Sequence, residues 1–255
     1  MAPLDEKIRK TMVGTIAEYN LLEAGDRVMV AISGGKDSTI MLLQLEQIRR
    51  RAPFPFEIEP VMLDQKQPGF DAKRYGDWLA ERGFKLRIIE QDTYSVVVAR
   101  TAPGKSFCGL CSRMRRGALY SLGHEEGFTK IALGHHREDL NETLLLNLFF
   151  SGTLESMPPR LESDDGRNVV IRPMAEVSEA DLTCYSEELA IPVIPCNLCG
   201  SQETARRAEM KALLSDLDSR YPGLRGSMLT AQKNLRPTQL MDRSFGAKRT
   251  TPREP

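Results

Sequence analysis

Two groups of residues in this chain can do chemistry by their type and spacing. The first is Ser33-Gly34-Gly35-Lys36-Asp37-Ser38. Glycine lets a backbone bend closely around a ligand, the Ser33 and Ser38 hydroxyls can donate hydrogen bonds, and Lys36 adds a point charge, so the hexapeptide suits an anion and above all a phosphate. Asp37 is out of place beside an anion unless it helps hold Mg²⁺ among phosphates. The ordinary nucleotide loop G-x-x-x-x-G-K-[ST] does not fit, because Val30 stands where its first glycine belongs and Asp37 where its Ser/Thr belongs. The second group is the cysteines, which fall as the pairs Cys108/Cys111 and Cys196/Cys199 with Cys184 alone. In a chain with no sign of secretion such pairs point to metal ligation or redox chemistry rather than to structural disulfides. Four thiolates suit a tetrahedral zinc site and equally an iron–sulfur cluster, with spacing alone favouring zinc by a small margin. Compact zinc modules separate their pairs by ~15 to 20 residues, far fewer than lie between Cys111 and Cys196, so the fold must bring these pairs together. Cys184 lies in an amphipathic helical stretch and reads as a buried apolar side chain.

The elements that must position these residues alternate. Asp5 to Leu22 carries Ile8, Met12, Ile16 and Tyr19 at helical spacing, and Gly25-Asp26 turns the chain. Val28 to Ile32 is the continuous apolar run of a strand buried on both faces; it enters the glycine hexapeptide and then a helix to Arg51. A strand over Ile58 to Leu63 ends at Asp64, a helix spans Asp71 to Arg82, and a strand covers Leu86 to Ile89. An irregular stretch holding Cys108 and Cys111 follows, then a helix over Arg113 to Glu126, a strand over Ile131 to Leu133, Gly134-His135-His136, and a helix from Asp139 to Phe150. Asp164-Asp165-Gly166 signals a turn before the strand Val169 to Arg172, Ser178 caps a helix to Leu189, Ile191 to Ile194 is strand-like, and Ser201 caps a helix to Leu217. The expected fold class is therefore α/β, a parallel twisted sheet with helices on both faces and helical N- and C-terminal additions. Asp64, Gly134 and His135 then fall with the hexapeptide at the carboxyl ends of strands, where such sheets bind ligands, with His136 and Asp139 as weaker candidates.

With 255 residues, 41% hydrophobic and 27% charged, the composition is that of a globular protein with a real core and excludes a collagen or a disordered chain. No run approaches the ~18 apolar residues of a membrane span, and the first ten residues lack the apolar core of a signal peptide, so a cytoplasmic protein without a membrane partner is expected. Lys and Arg balance Asp and Glu at 35 each, but from Arg220 to Pro255 eight basic residues face two acidic ones. Such a tail is either a solvated segment or a source of phosphate contacts.

Taken in order, Ser33 to Ser38, Leu63-Asp64-Gln65-Lys66-Gln67-Pro68-Gly69-Phe70, Cys108-Gly109-Leu110-Cys111 with the arginines Arg113, Arg115 and Arg116, Ala132 to Asp139, and Pro195-Cys196-Asn197-Leu198-Cys199-Gly200-Ser201-Gln202 give a combined resemblance. The hexapeptide resembles the PP-loop of the ATP pyrophosphatases, and the whole run resembles the tRNA 2-thiocytidine synthetase family from about Asp26 to Tyr221. The resemblance implies a PP-loop, adenine nucleotide alpha hydrolase-like Rossmann-type fold. It divides the chain into an N-terminal helix (1–25), a PP-loop domain with its iron–sulfur site (26–219) and a basic tail (220–255). It implies ATP-dependent 2-thiolation of cytidine 32 in the tRNA anticodon loop through a [4Fe-4S] cluster held by three cysteines. Cys108, Cys111 and Cys199 match those ligands, with Cys196 competing for the third place. ATP, with Mg²⁺, would be held by Ser33, Gly34, Gly35, Lys36, Asp37, Ser38, Asp64, Gly134 and His135, while Lys36, Asp37 and the three cysteines would carry the catalysis. The implied partners are tRNA, a sulfur donor such as a cysteine desulfurase, and a second copy in a homodimer. Another PP-loop thiolase acting on uridine, or a zinc-stabilised RNA-binding module without catalysis, are the alternatives.

Overall fold

The apolar run Val28 to Ile32 lies in the middle of the molecule. In the computed structural model, which describes residues 4–102, 107–194 and 205–241, it belongs to β1 (Arg27–Ile32). β1 pairs in parallel with β2 (Glu57–Asp64) on one side and β4 (Lys130–Ala132) on the other. β3 (Arg87–Glu90) extends the sheet beyond β2, and β6 (Val169–Ile171) extends it beyond β4, both in parallel. The edge strand β5 (Arg160–Glu162) departs from the parallel expectation and runs antiparallel to β6. The cause is local: the short turn through Gly166, whose φ is +68°, can only join antiparallel neighbours, whereas parallel ones need a long crossover.

The strand order is β3-β2-β1-β4-β6-β5. The chain winds outward from β1 in one direction through β2 and β3, then returns to the other side of β1 at β4. The crevice beyond the carboxyl ends of β1 and β4 is therefore a topological switch point, where ligands bind in sheets of this kind.

Both faces of the sheet are covered, which is why β1 shows no polar alternation. Val28, Val30 and Ile32 point into the larger core with Met62 and Ala132, under α1 (Leu4–Glu18), α2 (Lys36–Arg49), α3 (Lys73–Ala80) and α7 (Glu179–Leu189). Met29, Val61 and Ile131 point the other way, against Leu119, Tyr120 and Leu122 of α5 (Cys108–Glu125). A helix absent from the sequence reading, α4 (Thr93–Arg100), occupies part of the stretch expected to be irregular; Asp92 caps it by accepting from the Ser95 N–H at 2.9 Å. The strand expected at Ile191 to Ile194 does not form. Pro192 cannot donate to a ladder, and the Ile194 N–H bonds instead to the Gly34 carbonyl at 2.9 Å. Cys184, expected inside, is exposed on α7.

The C-terminal part packs on α6 (Arg137–Phe150). α8 (Ala205–Arg220) and α9 (Leu224–Lys233) form a pair in which Met210 and Leu214 bury against Leu145. Asn141 of α6 donates to the Arg225 carbonyl at 3.0 Å and accepts from Gln232 at 2.9 Å. The segment read as a basic tail from Arg220 thus contains a docked helix, and Lys233 ties it back to Glu18 of α1 at 2.9 Å.

This attachment has few apolar contacts, so Leu214→Ala should cost about 2 to 4 kcal/mol and release α8 and α9 locally. Hydrogen exchange is expected to rise across 205–233 while β1 and β2 keep their protection; equal acceleration in the sheet would show that the hairpin is not a separate unit.

Candidate active site

The hexapeptide leaves β1 at Ser33 and enters α2 at Lys36, with Gly35 as an extended N-cap residue and Gly34 at φ +80°. Its own hydroxyls shape it. Ser38 Oγ accepts from the Ser33 N–H at 3.1 Å and reaches the Gly35 carbonyl at 3.2 Å, while Ser33 Oγ accepts from the Gly35 N–H at 3.3 Å. Thr39 Oγ1 donates to the Gly35 carbonyl at 2.8 Å and shares a hydrogen with the buried Tyr75 hydroxyl at 2.7 Å. Among the described residues the N–H groups of Gly34, Lys36, Asp37 and Ser38 have no acceptor. These are the orphan donors of a helix N-terminus, aimed where the helix dipole favours negative charge. The Lys36 ammonium lies 2.7 Å from Asp37 and 4.0 Å from Glu179.

Two contacts around this turn leave no room for a side chain. A Cβ on Gly34 would stand 2.9 Å from Ile194, and one on Gly134, two residues past β4, would stand 3.0 Å from the Ser38 nitrogen. The loop after β4 is therefore pressed against the first turn of α2. The next residue, His135, accepts through Nδ1 from Arg172 Nε at 3.3 Å. Burial, together with the charge of Arg172, holds His135 down at about 4, so the imidazole is neutral near pH 7.

His136 caps α6, its N–H bonded to the Asp139 carboxylate at 3.0 Å. Burial opposes its charge, but Glu138 at 3.4 Å and Asp139 at 3.4 Å prevail, and its affinity for a proton is raised. Burial likewise opposes the Glu138 carboxylate, yet His136, Arg137 and the Glu179 N–H at 2.7 Å overcome it and bring its pKa down to about 2. Asp139 also holds Arg207 of α8 at 3.3 Å.

Asp64 ends β2, and its carboxylate accepts from the Lys66 N–H at 2.7 Å in a turn that puts Lys66 at φ +61°. Gln65, between them, is buried, and its Oε1 accepts both from Thr93 at 3.1 Å and from the Cys111 thiol at 3.2 Å. Cys108 and Cys111 lie in the first turn of α5 rather than in an irregular stretch before it, three residues apart and hence on one side of the helix. Cys111 is buried; the Cys108 side chain, Cys196 and Cys199 lie outside the described residues.

Ser33 to Ser38, Asp64, Gly134 and His135 thus share the carboxyl edge of the sheet with Cys111. No site role follows from the sequence for Gln65, Arg172 or Ile194. Gln65 had a signal in its adjacency to Asp64, and Arg172 in being a charge at the end of an apolar strand; nothing local marked Ile194.

This sheet, its switch point and its anion-directed turn define a PP-loop domain, and the PP-loop domain family matches residues 4–194 of the chain. The chain is 49% identical over 243 residues to the tRNA-cytidine(32) 2-sulfurtransferase of Bdellovibrio bacteriovorus, covering 95% of this chain and 93% of that one. It is 53% identical to that of Burkholderia vietnamiensis, covering 94% and 71% respectively. It belongs to the tRNA-cytidine(32) 2-sulfurtransferase family. Among solved structures, the U34-tRNA thiolase NcsA from Methanococcus maripaludis with its [4Fe-4S] cluster superposes with a TM-score of 0.70 at 19% identity, covering 90% of this chain and 78% of that one, which shows the shared fold.

Gly34→Ala places a Cβ both in a left-handed conformation and against Ile194, so a loss of about 1 to 3 kcal/mol in denaturant unfolding is expected, together with weakened ATP binding; a variant as stable as the parent would refute the contact. For His135 the lowered folded pKa means that stability is complete above the unfolded value near 6.5 and falls as acid is added toward 4. Urea unfolding between pH 6.5 and 4.5 should therefore show a steeper loss for the parent than for His135→Gln, and parallel slopes would contradict the burial.

Proposed function

We propose that this chain transfers sulfur to C2 of cytidine 32 in the tRNA anticodon loop, with ATP cleaved to AMP and pyrophosphate. The observation that carries the reading is that the buried Cys111 and the unpartnered N–H groups of the glycine turn open on the same edge of one sheet, in a member of this enzyme family.

The turn through Ser33, Gly34, Gly35 and Ser38 holds the β- and γ-phosphates by backbone and hydroxyl donors, and Lys36 offsets their charge. Asp37, with Asp64 one strand away, would supply carboxylate oxygens to Mg²⁺, and Lys36, paired with Asp37 at 2.7 Å, would offset phosphate charge. Gly134 and His135 line the nucleotide at the switch point. The target base leaves the anticodon-loop stack, and its C2 oxygen attacks the α-phosphorus, displacing pyrophosphate. An oxygen that leaves poorly from C2 becomes part of AMP, which leaves readily when sulfur attacks the same carbon.

Cys108, Cys111 and Cys199 are the ligands for a [4Fe-4S] cluster in this reading, with Cys196 the competing third. The donor set fits: soft thiols three residues apart at the start of α5, with Cys111 buried against Gln65. Held by these cysteines, the cluster would supply the iron–sulfur chemistry for delivering sulfur to the activated base. A cysteine desulfurase fits as donor, and the enzyme acts as a homodimer. Arg113, Arg115 and Arg116, following the cysteines on α5, contact tRNA phosphate.

Nucleosides of tRNA from cells lacking this protein should show the loss of 2-thiocytidine with 2-thiouridine retained; retained 2-thiocytidine sinks the assignment. Purified without oxygen, the protein should be brown, and Cys111→Ser should lose both colour and about 100-fold or more of thiolation. A colourless, zinc-loaded parent would favour the binding module instead. Asp37→Ala should slow pyrophosphate release by about 10² to 10³, and unchanged release would remove Asp37 from the metal site.

A further inference from the structure

Arg172, the first residue beyond β6, is a cation in an unusual place. It is only 6% exposed, and among the described residues no carboxylate lies within ion-pair distance of it. Its Nη1 donates to the Pro158 carbonyl at 2.6 Å and its Nε to His135 Nδ1 at 3.3 Å, and Nη2 has no protein partner among the described residues. Burial, with the positive field of Arg116, lowers its proton affinity to about 10, which still leaves it charged near neutrality. A buried guanidinium without a counter-charge is costly, and a carbonyl and a neutral imidazole compensate it only in part.

The His135 ring completes the arrangement. With Nδ1 accepting from Arg172, its proton sits on Nε2, a second donor. Asp139 and Arg207, whose charges also reach His135, pair with each other at 3.3 Å and largely cancel. Arg116 of α5 adds positive potential from the helix that opens with the cysteines. The site lies one loop from the glycine turn, since Gly134 packs on Ser38 while His135 beside it meets Arg172.

We infer that Arg172 and His135 form a second anion site on the carboxyl edge, taking a phosphate group distinct from those held by the glycine turn. Two phosphate-bearing molecules come to this edge under the function proposed above, on which the inference rests: the nucleotide and the polynucleotide. Either supplies the same chemistry, an anionic phosphate oxygen accepting from Arg172 Nη2 and His135 Nε2.

The test is binding without turnover. For Arg172→Gln, dissociation constants are measured for ATP alone and for an RNA hairpin of the anticodon arm alone, on cluster-loaded protein without a sulfur donor. A variant that melts like the parent should bind one or both ligands at least about tenfold more weakly. Weakening for ATP alone assigns the nucleotide phosphate. Weakening for RNA alone, with the salt dependence of binding reduced by about one charge, assigns the RNA backbone. Unchanged affinity for both ligands overturns the site. Should Arg172→Gln fail to fold, ¹⁵N spectra of the parent's His135 ring decide: the Nε2–H form is expected, moving when AMP or the hairpin is added, and a ring indifferent to both overturns the site equally. Because no sulfur is transferred, a wrong target nucleoside would appear in the cellular tRNA and not in these affinities.

Discussion

The structure turns on two places where the backbone comes too close for a side chain. Gly34 admits Ile194 above the turn that leaves β1, and Gly134 lets the loop after β4 rest on the first turn of α2. Both lie at the point where the sheet reverses its winding, so the Ile194 side chain and the backbone of α2's first turn crowd the edge at which such sheets bind ligands. Because the first turn of α2 cannot satisfy its own N–H groups, closing the chain around it yields a set of preoriented donors rather than a solvated helix end.

Through these contacts parts of the chain remote in sequence acquire a common edge. The Ile194 N–H fixes the segment after α7 to the glycine turn, and Arg207 of α8 is held by Asp139, Glu142 and Thr143 of α6. On the other side, Cys111 reaches the end of β2 through Gln65, whose single amide oxygen also ties down α4 by Thr93. The charges follow the same geometry. Glu138 is buried but amply supplied with donors, whereas Arg172 is buried with donors left over, and the first arrangement is structural while the second asks for a ligand.

Several elements were legible because their signals are local. The apolar run into Ser33-Gly34-Gly35 announced a buried strand and an anion-directed turn, Ser178 capped its helix by accepting from the Asp181 N–H at 3.1 Å, and Asp164-Asp165-Gly166 made the expected turn. Elsewhere local pattern misled. α5 starts earlier than its pattern predicts: Gly109 and the cysteines have weak helix preference, but tertiary packing against α4 and β2 carries the helix back to Cys108. Ile191 to Ile194 has the composition of a strand, but Pro192 and the segment's place above Gly34 give its one docking N–H to a loop. Cys184 sits at the solvent side of α7 because Leu182 and Tyr185 take the inward positions.

The sequence by itself determined the kind of chemistry: the residue types for gripping phosphate and binding soft metal, the alternation of strand and helix through the glycine turn, and the resemblance carried by those motifs. Only the tertiary structure decided which of these groups share a cleft and what charge they carry there. Spacing along a chain is local information, whereas the proximity of Arg172 to His135 or of Ile194 to Gly34 depends on how parallel strands far apart in sequence come to lie side by side. The ionisation of a buried group, in turn, depends on neighbours that only this packing supplies.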